Sequence, residues 1–156
     1  MTTLGENYSR ADGPAKLRGW AQFTADIEVA GVVYAKVLRS SYVHARLLRV
    51  DASKAVKLPG VVAVLTRDDL KAMNSHFGPV VKDQPVVALD RVRYVGDIIA
   101  AVAAEEKDIA EEALESIEVE CDPLPAVFDL REAMKPEAPI IHADRVKAQS
   151  FPAKSG

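Results

Sequence analysis

Three histidines, one cysteine and several carboxylate pairs are the residues of this 156-residue chain that could do chemistry. The histidines, His44, His76 and His142, stand 32 and 66 positions apart, so no two have the local spacing of a metal site. A lone Cys121 makes neither an intrachain disulfide nor the four-thiolate set of an iron–sulfur cluster. Close to Pro123, it reads as a small strand residue. General acid–base catalysis needs a partly buried carboxylate of perturbed pKa. Asp68-Asp69, Glu105-Glu106 and Glu111-Glu112 instead fall on helix faces or caps and read as solvated surface. Ser40-Ser41 lacks the GxSxG frame of a nucleophile elbow, and the glycines never fall as a Walker loop or as GxGxxG. Arg93, Gly96 and Asp97 could hold an anion. The plainer reading gives Gly96 a positive φ or a close approach at a bulge, and Asp97 the capping of a turn. His44 reads as a hydrogen-bonded structural residue. No residue is assigned a catalytic, cofactor-binding or metal-binding role.

One stretch does point to function. Residues 74–89 carry Gly78, Pro79 and Pro85 and no period. Loops of that length tend to be functional or flexible. Within it Phe77, Val80 and Val81 form an apolar cluster in a polar setting, a pattern that marks contact with a partner or ligand.

The elements that must position these residues follow from periodicity and breakers. Residues 1–16 read as a polar, extended N-terminal arm, 17–135 as one domain and 136–156 as a connector or tail. Strands are expected over 20–29, 32–39, 45–50, 61–65, 92–95, 98–104 and 117–121. The runs 61–65 and 98–104 are continuous in apolar residues and so are expected to be buried. Asp51 is placed to cap a short helix over 52–57. Thr66 with Asp69 makes a capping box for another over 67–73. The clearest helix is 107–116, where Ile109, Ala110, Ala113, Leu114 and Ile117 make one apolar stripe. A last short helix is expected over 130–134. Irregular alternation of strands and helices is an α+β pattern.

Composition narrows the class further. The net charge is −3, with 20 basic and 23 acidic residues interleaved. That argues against a nucleic-acid surface, which needs clustered Lys and Arg. The longest apolar run, 98–104, is far short of the ~20 residues of a membrane span. The first residues lack the apolar core of a signal peptide, so a cytoplasmic location is expected.

The segment VRYVGDIIAAVAAE over 92–105, followed by a helix and IEVECDPLP over 117–125, carries a resemblance. With LRGWAQFTADI (17–27), the run from VLRSSYVHARLL to LTRDDL (37–70) and LPAVFDLREAM (124–134), it resembles the α/β-hammerhead domain. That domain opens the molybdenum-cofactor subunit of the xanthine dehydrogenase and aldehyde oxidase family. The resemblance covers roughly residues 10–146 and implies a mixed sheet with short helices. It implies an enzyme that oxidises aldehydes or N-heteroaromatics, with molybdopterin, two-iron two-sulfur clusters and FAD held in partner domains or subunits, none of them in this chain. The implied partners are a molybdopterin-binding large subunit, an iron–sulfur subunit and a flavin subunit. The family's catalytic residues lie beyond the hammerhead, so none carries over. Phe77, Val80 and Val81 become candidates to line the substrate channel. The chain is then either a piece of a large subunit or a separate small subunit that docks on one. The alternatives are a molybdenum-dependent hydratase with the same part, or a non-enzymatic assembly or binding module that kept the fold.

Overall fold

The computed structural model describes residues 5, 10–27, 29–71, 73, 76–78 and 84–142. It divides into two compact units, Met1–Val32 and Val33–Gly156.

In the first unit, helix α1 (Gly13–Leu17) begins with Pro14 in its first turn. Proline suits that place because its fixed φ is already helical and its missing N–H would be unpaired there anyway. Lys16 pairs with Asp12 at 2.5 Å. The polar arm is thus partly helical rather than extended. The strand expected over 20–29 does not form. Thr24–Asp26 is a 3₁₀ turn instead. Its cause is local: the Asp26 carboxylate accepts the Phe23 N–H at 2.9 Å, taking a backbone donor that a ladder would need.

The second unit holds the sheets. Strands β1 (Tyr34–Arg39) and β2 (Ala45–Asp51) are followed by β3 (Val61–Leu65), helix α2 (Arg67–Leu70) and the two-residue strands β4 (His76–Phe77), β5 (Gln84–Pro85) and β6 (Arg91–Val92). Then come β7 (Ile98–Ala104), helix α3 (Lys107–Glu115), β8 (Glu118–Pro123) and helix α4 (Leu130–Ala133). Two three-stranded sheets have the orders β1-β7-β3 and β6-β2-β8, and β4 pairs with β5. Every ladder among the described residues is antiparallel. This is the expected α+β class with short helices, its strands shared among three sheets.

Strand β7 is central and buried, as its continuous apolar run requires. β3 is equally apolar but lies at the sheet edge, and Val62 there is 58% exposed, so the expected burial of β3 is corrected. Helix α3 packs against β1, β7 and β3. Ala110, Ala113 and Ile117 of its stripe are buried, while Glu111, Glu112 and Glu115 face water. Lys36 of β1 pairs with Glu111. The core joins both sheets through Ala45, Leu47, Val50 and Val92 on one side and Ile99, Ala100 and Val102 on the other.

The capping box forms as read: the Asp69 carboxylate accepts the Thr66 N–H at 2.7 Å, and Thr66 Oγ1 accepts the Asp68 N–H at 3.3 Å. Asp51 does not cap a helix. It ends β2, accepts the Ser53 N–H at 2.9 Å, and the helix expected over 52–57 shrinks to a 3₁₀ turn, Ala55–Lys57. The β2–β8 register shifts between Leu47 and Arg49. Carbonyls around this bulge are taken up by Arg67, which donates to Leu47 O and Leu48 O.

Gly60 turns the chain into β3 with φ +84°, and a Cβ there would stand 2.7 Å from Ile109 Cδ1 on α3. Its carbonyl accepts the Glu105 N–H at 2.9 Å. Gly60→Ala is therefore expected to cost about 1–2 kcal/mol from the left-handed backbone alone. A lowered urea midpoint at unchanged m-value reads that cost, and an unchanged midpoint would mean that the turn relaxes freely.

Candidate functional site

Phe77, the one described member of the apolar cluster singled out in the sequence, stands on β4 and is half exposed. Its ladder partner is Gln84 on β5. Val80 and Val81 lie outside the described residues. The Gln84 carboxamide Nε2 donates to the Tyr94 hydroxyl at 3.2 Å. That contact links the hairpin carrying Phe77 to the turn after β6.

The turn is fixed from several sides. Gly96 has φ +93°, a backbone state that glycine adopts without steric cost. β6 ends at Val92, short of the strand expected through residue 95. The Gly96 N–H donates to Ser40 O, and the Ser40 N–H donates to Asp97 O, both at 2.8 Å. Arg39 Nη1 donates to Gly96 O at 2.8 Å. The Asp97 carboxylate accepts the Arg93 N–H at 3.0 Å, which is the turn-capping role read for it. Ser40 itself is buried, and its Oγ accepts the Tyr42 N–H at 3.0 Å.

Between hairpin and turn lies a cleft of about 260 Å³ lined by Gln84, Pro85, Arg93, Tyr94, Asp97 and His142. Asp97 is only 5% exposed. Burial pushes its carboxyl above the ordinary carboxylate value, against the Arg93 amide and the Arg93 charge, which favour ionisation. Beneath it, Arg93 Nη2 donates to Asp90 Oδ1 at 3.1 Å and Nη1 to Arg91 O at 3.2 Å. Burial opposes the charge on Asp90, yet Arg91 and Arg93 together hold its carboxyl below the usual range.

The other chemistry-bearing residues stay apart. His44 is buried, and its Nδ1 lies 2.7 Å from Pro125 O. A carbonyl only accepts, so Nδ1 carries the proton; this is the structural histidine the sequence suggests. His76 is exposed on β4. Cys121 is half-buried on β8 opposite Leu47, and burial raises its thiol pKa. Asp68 and Glu111 are exposed and paired with Lys71 and Lys36. Among the described residues, no group of three or more His, Cys, Asp or Glu could hold a metal ion. With one cysteine in the whole chain, this donor set does not fit an iron–sulfur cluster.

Sequence reading found Arg93, Gly96 and Asp97 together, because they lie within one turn. It missed Gln84, Tyr94 and His142 as their neighbours. Tyr94 was legible from its spacing to Asp97. Gln84 and His142 arrive through tertiary structure and leave no local signal.

Comparison with known proteins gives a consistent picture. Residues 18–125 match the family model described as "Aldehyde oxidase and xanthine dehydrogenase, a/b hammerhead domain". The chain is 47% identical to a probable xanthine dehydrogenase subunit of Bacillus subtilis (strain 168), over 86% of this chain and 18% of that protein. It is 40% identical to the nicotinate dehydrogenase large molybdopterin subunit of Eubacterium barkeri, over 90% of this chain and 33% of that one. A crystal structure of the Cu,Mo-CO dehydrogenase superposes with a TM-score of 0.84 at 35% identity, covering 90% of this chain and 18% of that chain. The chain thus spans between about a fifth and a third of the length of these relatives.

The raised pKa of Asp97 fixes the sign of its effect on stability. The folded state holds this proton more tightly than the unfolded chain does. The stability it contributes is present below the ordinary value of 3.8 and is lost as pH rises through the raised one. Asp97→Asn keeps an acceptor for the Arg93 N–H and removes the titration. The unfolding midpoint of the variant relative to the parent is expected to rise with pH across that window and then level off. A difference that stays flat from acid to neutral pH would mean that Asp97 titrates normally.

Proposed function

The chain belongs to the a/b hammerhead family of aldehyde oxidase and xanthine dehydrogenase, and from that premise we propose that it is the non-catalytic hammerhead part of a molybdenum hydroxylase. In this reading it docks on the molybdopterin-binding subunit and helps to shape substrate access. The observation that carries it is likeness over nearly the whole chain to relatives that include a large molybdopterin subunit. Molybdopterin, the two-iron two-sulfur clusters and FAD belong to partner domains or subunits, and the molybdenum centre there supplies the oxidation. The working location is the cytoplasm; among the described residues no helix is long and apolar enough to cross a membrane.

Two features of the chain support docking and access. Phe128, Leu130 and Met134, in and around α4, are 82%, 85% and 86% exposed. Three large apolar side chains so bare in one short segment are what a contact surface presents before it is covered. Phe77 is half exposed on a hairpin whose other strand lines the cleft holding the buried Asp97 carboxylate. A wall of this kind can guide an apolar ring while the polar groups behind it fix orientation.

Affinity isolation of this chain from its own host, followed by metal analysis, tests the reading. Molybdenum and iron are expected to arrive with larger chains. A metal-free eluate containing this chain alone would overturn the assignment, as would turnover of an aldehyde or purine by the chain by itself. In the assembled enzyme, Phe77→Ala is expected to raise KM several-fold with little change in kcat, because a passage residue contributes equally to ground and transition states. An unchanged KM would remove Phe77 from the passage.

A further inference from the structure

We propose that residues 17–32 of the first unit are a docking segment, and that what covers it is an apolar face on the remainder of the molybdopterin-binding subunit. The argument begins with burial. No described residue of 10–32 is buried. Neither α1 nor the 3₁₀ turn Thr24–Asp26 puts a side chain into a core. Leu17, Trp20, Phe23, Ile27, Val29 and Val32 are each more than half exposed. Large apolar side chains gathered in one exposed segment mark a contact surface, because covering them supplies the main favourable term of association. What fixes the backbone here is local. The Trp20 N–H donates to Ala15 O at 2.8 Å, and the Asp26 N–H to Phe23 O at 2.9 Å. Single turns of this kind draw most of their stability from packing against something else.

The charges of the segment point the same way. Asp12 is taken up by Arg10 and Lys16, at 2.6 and 2.5 Å. The Asp26 carboxylate accepts the Phe23 N–H. The Arg18 guanidinium lies 4.9 Å from the centre of the Trp20 ring, a cation–π contact that restrains the indole before any partner arrives. Charges satisfied within the segment do not call for charges opposite, so the face that meets it is apolar. Trp and Arg are also among the side chains that carry most of the binding energy at interfaces.

The occupant follows from where the segment recurs. The family match begins at residue 18, so Trp20 to Val32 belong to the shared domain. This chain covers only 33% of the large molybdopterin subunit that it matches, so about two thirds of that subunit lies elsewhere and can supply the missing face. The identity of this occupant rests on the hydroxylase reading above.

The test uses the full chain as bait in its own host, with molybdenum in the eluate as the readout. A variant carrying both Trp20→Asp and Phe23→Asp should bring down on the order of tenfold less molybdenum than the parent. Its urea midpoint, followed by circular dichroism, should stay at the parental value, since neither side chain is buried. Val56→Asp, a similarly exposed apolar-to-acid change in the second unit, should keep the parental amount. Equal molybdenum with the double variant, or an equal loss with Val56→Asp, would overturn the proposal and leave the hydroxylase reading standing. No molybdenum with the parent itself would sink that reading and this occupant with it. If the double variant loses stability, the labelled parent decides. Trp20 is the only tryptophan of the chain, so 5-fluorotryptophan gives one ¹⁹F resonance. It should shift or broaden when the molybdenum-bearing chains, separated from the bait, are added back. An unmoved resonance would overturn the proposal. So would one that moves with the concentration of this chain alone, which would assign the surface to a second copy.

Discussion

The close approach of α3 to β7 is the constraint on which the larger unit depends. Ala100 and Ala104 on the strand and Ala110 and Ala113 on the helix have no exposed surface. Side chains this short let a helix lie low on a sheet, and they leave no room for an added methylene without strain. β7 is also paired on both edges, with β1 and β3, so its backbone groups are committed to ladders along its length. One strand thus fixes the positions of two neighbours and a helix. The glycine turn into β3 is shaped by the same crowding, since Ile109 of α3 fills the space where a side chain would stand.

From that centre the order extends to the second sheet and to the cleft. Arg67 follows β3 of one sheet and donates to carbonyls at the β2 bulge in the other. A charged donor on carbonyls at a bulge makes hydrogen bonds stronger than those between neutral groups. β7 itself begins at Ile98, directly after Asp97. The carboxylate that lines the cleft is therefore anchored by the most constrained strand of the fold. The facing wall is lighter: β4 and β5 have two residues each.

What could be read from sequence divides along physical lines. Residues 98–104 and 107–116 announced themselves, because an unbroken apolar run and a clean 3.6-residue stripe each have few alternatives. Thr66 and Asp69 were legible because a capping box is a local hydrogen-bond circuit. The strand expected over 20–29 failed for the opposite reason: its alternation was weak, and Asp26 offered the backbone a nearer partner than any ladder. The apolar run of β3 showed strand but could not show edge, since edge or centre is decided by which strands arrive on either side. At the cleft, Arg93, Gly96 and Asp97 were adjacent in the chain and so visible together. Gln84 and His142 were brought there by the fold. The family resemblance, carried by RYVGD and the segments around it, supplied the architecture that propensity alone could not.

The bare face around α4 also bears on the life of a copy that has not yet found a partner. Phe128, Leu130 and Met134 are largely exposed among the described residues. Such surfaces are what holdase chaperones and quality-control proteases sample when they triage newly made protein. An orphan copy would carry its own clearance signal, erased only when the face is covered. If the proposed partner covers that face, the abundance of the chain would follow the supply of the partner.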